Sequence, residues 1–371
     1  MMSISWIVIY IGVFFLSLIL SLIFTPVSER IGTRLALMDV PKPGKFHEKT
    51  RARSGGIAIF LSFVLVLAIG LCAGFFLYRK GAFLSADVAH LVKNIPSVMP
   101  RLIGLLVGAS FIFLVGLWDD KWPLNPWTKL LCQIISGIPL LLVGIRIGLF
   151  LPAWMGCILT IFWIVLLTNS FNFLDNMDGL SSGIAAIVSL VLAFVTWQAH
   201  DLFVTAILMA LAGSILGFWY FNFIKSRLFM GDGGSLFIGY MIACLTILAT
   251  YYKKGIPTTL PVLTPFIVLG VPLFDTVSVL YIRFRMGKPL MKGDTNHFSH
   301  RLVNLGMSPR QAVIFIYLVT FCVALAAMPL AYLPLQPALI QAAQVILWFL
   351  LIFLLERAGK KKIEAEKNGS K

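Results

Sequence analysis

Residues 104–121 read GLLVGASFIFLVGLWDDK, an uncharged apolar run that ends abruptly on the adjacent acids Asp119 and Asp120. The pattern recurs. Residues 158–168 are apolar and lead to Asp175 and Asp178, Asp232 stands between glycines just before another apolar run, and Asp275 lies inside one. The chain has only 15 acidic residues. A carboxylate at or near hydrocarbon costs several kcal/mol, so its retention marks a candidate site for a metal, a proton or a partner charge.

Working outward from that run, 59% of the chain is hydrophobic and 12% charged, with mean hydropathy +0.95. Soluble domains carry about 25% charged residues. The chain therefore reads as an all-α, polytopic helical membrane protein. Runs of about 20 residues cross a bilayer. The stretches 4–25, 55–78, 101–118, 130–145, 150–168, 180–198, 202–221, 234–252, 259–282, 310–331 and 338–356 predict about eleven spans. Residues 1–356 form one expected transmembrane catalytic domain, and 357–371 a basic cytoplasmic tail. The first run lacks a basic leader and a small-residue cleavage site, so it is expected to be retained as a span.

The net charge of +15 reports orientation and contact with anionic membrane lipid rather than nucleic acid. With the amino terminus outside, 22 of the 30 Lys and Arg residues fall on inner loops and the tail. The expected orientation is N-out/C-in. That choice also gathers Asp119, Asp120, Asp175, Asp178 and Asp232 on the inner side, with His47, His297 and His300. The five cysteines all lie in apolar runs without C-x-x-C spacing, which argues against zinc or disulfides.

Four groups carry chemistry. Asn172, Asp175 and Asp178 are spaced by three and share a face if helical, able to hold Mg²⁺ or a nucleotide edge; the alternative is a capping loop with solvated acids. In Phe229-Met-Gly-Asp-Gly-Gly-Ser235, glycines allow close approach to an anion. Ser235 can cap the next helix, whose amino terminus favours phosphate, and Asp232 would put a metal beside it; the alternative is a tight turn. Neighbours on a helix point about 100° apart, so at most one of Asp119 and Asp120 addresses a given ligand atom. His297-x-x-His300-Arg301 suits phosphate better than zinc, since no third soft ligand is near. The basic run from Lys42 to Arg53 reads mainly as topogenic charge, with Lys45 singled out for chemistry. The pair Gly55-Gly56 points to close backbone approach.

Together these residues resemble the polyprenyl-phosphate N-acetylhexosamine-1-phosphate transferase family, over about residues 39–310. Its elements occur in order: Asp39-x-Pro41 with Lys45-Phe-His47 and Gly55-Gly56; Asp119-Asp120; Asn172-x-x-Asp175-x-x-Asp178-Gly179; Asn222 ten residues before Asp232; Pro272-x-x-Asp275; and His297-x-x-His300-Arg301. The last loop looks like that of the N-acetylglucosamine branch rather than the muramoyl-pentapeptide branch, with Ser299 where that branch usually has a histidine.

The resemblance implies a bundle of ten or eleven helices, often a homodimer, in the bacterial cytoplasmic membrane with its site facing the cytoplasm. It implies transfer of a sugar 1-phosphate from a UDP-amino sugar to undecaprenyl phosphate, with Mg²⁺ or Mn²⁺, releasing UMP. N-acetylglucosamine is the favoured sugar; another UDP-amino sugar, or UDP-MurNAc-pentapeptide, is the alternative. Within it, Asp232 is the expected leading metal ligand, with Asp175 or Asp178 assisting. Asn172 and Asn222 would orient the donor, and Lys45, His297, His300 and Arg301 would bind phosphate oxygens. Asp119 or Asp120 could serve as a base toward the lipid phosphate. The competing class is a proton- or Na⁺-coupled transporter, which would place acids at mid-span.

Overall fold

The computed structural model describes residues 4–40, 50–80, 86–148, 151–249, 251, 260–289 and 296–369. The protein is helical almost throughout. Among the described residues the one sheet is a two-stranded antiparallel ladder of β1 (Met38–Asp39) and β2 (Arg51–Ala52). Among the described residues, nine helices are long and apolar enough to cross a membrane. The expected fourth span is a shorter apolar helix, α4 (Pro126–Leu142). The expected ninth is not one straight helix. It is α9 (Thr264–Val268) with the 3₁₀ turn before it, followed by α10 (Gly270–Arg285), bent by 63° at the break. Pro272 explains the break, because it has no N–H to give the carbonyl of Val268.

Contacts divide the chain into two compact units, Met1–Ala249 and Thr250–Lys371. The first holds α1 (Ile4–Arg34), α2 (Gly55–Lys80), α3 (Ala86–Lys121), α4, α5 (Ala153–Leu174), α6 (Leu180–Gln198), α7 (Leu202–Trp219) and α8 (Gly231–Leu248). The second holds α9, α10, α11 (Phe298–Asn304), α12 (Pro309–Leu325) and α13 (Leu335–Gly369). The expected tail from residue 357 continues the helix of α13.

In the first unit, α8 is the buried centre: 83% of its apolar window lies inside the protein, against 17% for α1. It packs on α2, α3 and α5. Lipid tails are as apolar as leucine, so packing and interhelical hydrogen bonds must hold these helices together. Phe60 of α2 stacks on Phe113 of α3 at 4.1 Å, and both meet Phe237 of α8 edge-on. Ser17 and Ser21 of α1 donate at 2.6 Å to the carbonyls of Ala210 and Ser214 on α7.

Two glycines set how close α8 can come. A Cβ on Gly56 would lie 2.3 Å from the backbone nitrogen of Gly234, and one on Gly116 would lie 2.5 Å from the carbonyl oxygen of Asp232. Both obstacles are main chain, so no rotamer change relieves them. Gly116→Ala is expected to part α3 from the start of α8 and destabilise the fold by about 1–3 kcal/mol, the usual cost of overpacking. Thermal unfolding in detergent checks this against Gly70→Ala, where a Cβ meets nothing within 4 Å. Equal midpoints for the two variants would refute the close-approach reading.

Candidate active site

The amino terminus of α8 is the meeting point of the first unit. Residues 229–231 lie against the entry to α2: Phe229 N–H donates to Ala52, while Gly55 and Gly56 N–H donate to Phe229 and Met230. Gly231, at φ +76°, starts the helix. Helix α8 therefore begins before Ser235. Contrary to expectation, Ser235 is no cap, and its hydroxyl instead accepts from the Asn172 amide at 2.9 Å.

The caps are carboxylates brought in by other helices. Asp120, at the end of α3, accepts from the N–H groups of Asp232 and Gly233, each at 3.0 Å. Asp175 accepts from the N–H of Gly231. These are donors that a helix amino terminus would otherwise offer to a phosphate. The sequence reading placed a phosphate on this helix start, but the protein's own acids already occupy it.

Asp232 projects from the first turn with both oxygens engaged. Oδ1 accepts from Asn172 at 2.9 Å, and Oδ2 from the ammonium of Lys129. Lys129, in the first turn of α4, also pairs with Asp119 at 2.8 Å. Asp119 accepts in addition from the N–H of Leu124 at 2.7 Å. One lysine thus bridges the acid pair of α3 to the glycine-rich acid of α8. The sequence reading missed Lys129, counting it only as loop charge. The available signal was a solitary lysine in the first turn of an apolar helix that carries Gln133 and Ser136 one and two turns on.

The polar stripe Asn172, Asp175, Asp178 is not a helical face. Helix α5 ends at Leu174, Asp175 is its C-cap, and Gly179 turns the chain at φ +80°. Asp178 consequently swings to Arg51 of β2, at 2.8 Å. Arg53 pairs with Asp39 at 3.0 Å. Both arginines were read as topogenic charge, and both instead hold acids. Asn222 lies in a π-helical turn, Tyr220–Ile224. Its amide accepts from Gly179 N–H at 2.7 Å and donates to the Leu228 carbonyl at 2.9 Å. It ties the turn after Asp178 to the loop before Asp232. Lys45, with His47, lies outside the described residues.

Among the described residues, no three His, Cys, Asp or Glu side chains form a metal-ligand group. Of the two acids expected to assist Asp232, Asp178 is drawn to Arg51, while Asp175 lies beside Asp232. A divalent cation still fits the site. The donors are all oxygen, as Mg²⁺ prefers, and Mg²⁺ commonly takes only one or two carboxylates with water and substrate phosphate. Lys129 pairs with Asp119 and Asp232, Arg51 with Asp178 and Arg53 with Asp39. Burial, with the adjacent carboxylates of Asp232 and Asp178, pushes the Asp175 carboxyl up to about 8, although Arg53 and the Gly231 N–H pull the other way. Asp232, with Asp175 beside it, would hold the cation.

Lys129 stands beside Asp232, so it is expected to compete with any divalent cation bound there. Lys129→Met is expected to bind Mn²⁺ about tenfold more tightly in the absence of substrate, since one positive charge next to Asp232 is gone. It is expected to lose about 10²-fold in turnover, as one oxyanion contact commonly costs that much. Titration of bound Mn²⁺ by electron paramagnetic resonance reads the first effect; unchanged affinity would remove Lys129 from the cation site.

In the second unit, Asp275 of α10 contacts His297 and Phe298, while Arg301 reaches Glu356 of α13 through Nε at 3.1 Å. The same guanidinium donates to the Asn296 carbonyl at 2.7 Å and to Ser278 at 3.1 Å. Arg301 thus braces α11 against α10 and α13. The ring centroids of His300 and His297 lie 6.0 Å apart.

The family model described as glycosyl transferase family 4 matches residues 102–250, which include Asp119, Asp120, Lys129, Asn172, Asp175, Asp178 and Asp232. Over 92% of its length the chain is 32% identical to the probable undecaprenyl-phosphate N-acetylglucosaminyl 1-phosphate transferase of Bacillus subtilis, covering 89% of that protein. It is 30% identical over 80% of its length to the decaprenyl-phosphate N-acetylglucosaminephosphotransferase of Mycobacterium leprae, covering 77% of it. It is 24% identical over 90% of its length to the undecaprenyl-phosphate alpha-N-acetylglucosaminyl 1-phosphate transferase of Escherichia coli O157:H7, covering 87% of it.

Proposed function

The chain belongs to glycosyl transferase family 4, and on that premise we propose that it moves N-acetylglucosamine 1-phosphate from UDP-N-acetylglucosamine to undecaprenyl phosphate. A phosphate oxygen of the lipid attacks the sugar-bearing phosphorus, the bond from that phosphorus to the bridging oxygen breaks, and UMP leaves. The product begins a lipid-linked envelope glycan. The observation that carries this reading is the cluster at the start of α8, where Lys129 joins Asp119 to Asp232 and Asn172 fixes the other oxygen of Asp232.

Phosphoryl transfer asks the protein mainly for position and charge. Mg²⁺ held by Asp232 would supply charge neutralisation on the pyrophosphate. Asn172 orients Asp232 for that task. Lys129 offers its ammonium to a phosphate oxygen, within reach of both acids that hold it. His297 and His300 serve phosphate oxygens as donors. Asp119 and Asp120 each accept hydrogen bonds on both oxygens, which holds the two carboxylates in place. A phosphate monoester has its second pKa near 6 and is already dianionic at pH 7. Direct attack by the lipid therefore needs no strong base. A sugar-phosphate adduct on either aspartate that turns over competently would overturn it.

We further place the protein in the bacterial cytoplasmic membrane, N-out/C-in, with the cluster facing the UDP-sugars of the cytoplasm. Terminal tags should be reached from outside intact cells at the amino end only. The chemistry is tested by UMP release from purified protein given Mg²⁺, undecaprenyl phosphate and a panel of UDP-amino sugars. Release with UDP-N-acetylglucosamine is expected; release with none of the panel would sink the enzyme reading and return the acids to a transporter.

A further inference from the structure

The last apolar run also ends on an acid. Residues 345–355 are apolar without a break, and Glu356 closes them near the end of the span in α13. Its side chain is 12% exposed, and that of its partner Arg301 17%. Taking such a pair out of water is costly unless further hydrogen bonds complete it. Here they do. Nε of Arg301 donates to both Glu356 oxygens, at 3.1 and 3.2 Å, while Nη1 donates to the Asn296 carbonyl at 2.7 Å and to Ser278 of α10 at 3.1 Å. The rings of Phe274 and Phe298 lie 5.9 and 5.8 Å from the guanidinium carbon. Helix α13 touches the same neighbourhood on either side of Glu356. Phe349 stacks on Phe274 at 5.0 Å, and a Cβ on Gly359 would lie 2.6 Å from the side chain of Leu305, the residue that ends α11. Glu356 thus sits at the centre of the face by which α13 holds the short helix that carries His300.

We propose that Glu356 is a positioning residue for the transfer reaction. Acting through Arg301, it sets the rotation and height of α11, and with them the place of His300. Arg301 is then a strut between α10, α11 and α13 rather than a phosphate ligand. This deepens the sugar-phosphate transfer proposed above and rests on it.

The two roles open to Arg301 give opposite signs for Glu356→Leu. If Glu356 only competes with substrate for the guanidinium, its loss frees a phosphate ligand and UMP release rises. If Glu356 positions α11, UMP release at saturating substrate is expected to fall about tenfold, since small displacements of a group that meets substrate cost that much or more. Glu356→Gln keeps an oxygen for Nε and is expected to regain most of the wild-type rate. The double variant Glu356→Leu with Arg301→Leu guards against misfolding, because removing both charges leaves no unpaired guanidinium. It is expected to unfold at the wild-type midpoint in detergent and still to release UMP about tenfold slower. In ¹⁵N-histidine-labelled protein the His300 signal is expected to shift in Glu356→Leu and in the double variant, while the His200 signal of the first unit stays in place. The two signals are assigned by their loss in His300→Ala and His200→Asn. A faster Glu356→Leu enzyme, a Glu356→Gln enzyme as slow as Glu356→Leu, a double variant with wild-type activity, or an unmoved His300 signal would each overturn the proposal. Wild-type protein that releases no UMP would overturn the transfer reading, while the His300 signal still decides whether Glu356 sets α11.

Discussion

Asp232→Asn is expected to reduce UMP release by about 10³-fold, about 4 kcal/mol of transition-state stabilisation, with the fold intact. The substitution preserves shape. It can still meet one of the two partners, Asn172 and Lys129, that hold the side chain. What it removes is the charge that a metal needs, in the one acid that sits on α8 itself and points into the cluster. The loss should appear in kcat and kcat/KM alike, because the interaction matters most as charge builds on the leaving phosphate. Mn²⁺ binding should weaken in parallel. Activity above about a tenth of wild type would mean that Asp232 is not the leading ligand.

Asp120→Ala is expected to fail differently, through stability. It strips the acceptor from the Asp232 and Gly233 N–H groups at a crowded helix start. A buried donor left without a partner costs about 1–3 kcal/mol. With two donors affected, the unfolding midpoint in detergent should drop by many degrees. Asp120→Asn keeps one acceptor oxygen and should recover part of the loss. The activity deficits of the two variants should follow their midpoints, because the lost bond holds the residue that bears the Asp232 carboxylate. If Asp120→Ala melts like the wild type yet is inactive, Asp120 does chemistry rather than capping.

The contrast between these two acids marks where sequence reasoning stopped. Apolar runs and positive loops made the helices legible, because the bilayer permits little else and leaves local composition in charge. The glycine pair before α2 was legible as a point of close approach, and α8 does touch it there. The spacing of Asn172, Asp175 and Asp178 suggested one helical face, but α5 stops at Leu174 and the turn at Gly179 sends Asp178 to Arg51. Ser235 carried a capping signal, but the helix start is capped by Asp120, which lies 112 positions before Asp232 in sequence. Span nine read as one apolar stretch, and the consequence of Pro272 within it became visible only as a bend.

By itself, then, the sequence determined that this is a polytopic helical membrane protein with aspartates at the ends of its spans, and it carried the ordered motifs of its family. Those properties are local: hydropathy over some twenty residues, and short strings of polar groups between them. Only the tertiary structure decided which partners each aspartate meets. Asp120 caps a helix, Asp178 answers an arginine and Asp275 holds a histidine, while Asp119 and Asp232 share Lys129. The physical reason is that a carboxylate's role depends on which donors lie within about 3 Å. Lys129 and Asp232 come that close across 103 residues only because helices α3, α4, α5 and α8 end at one place.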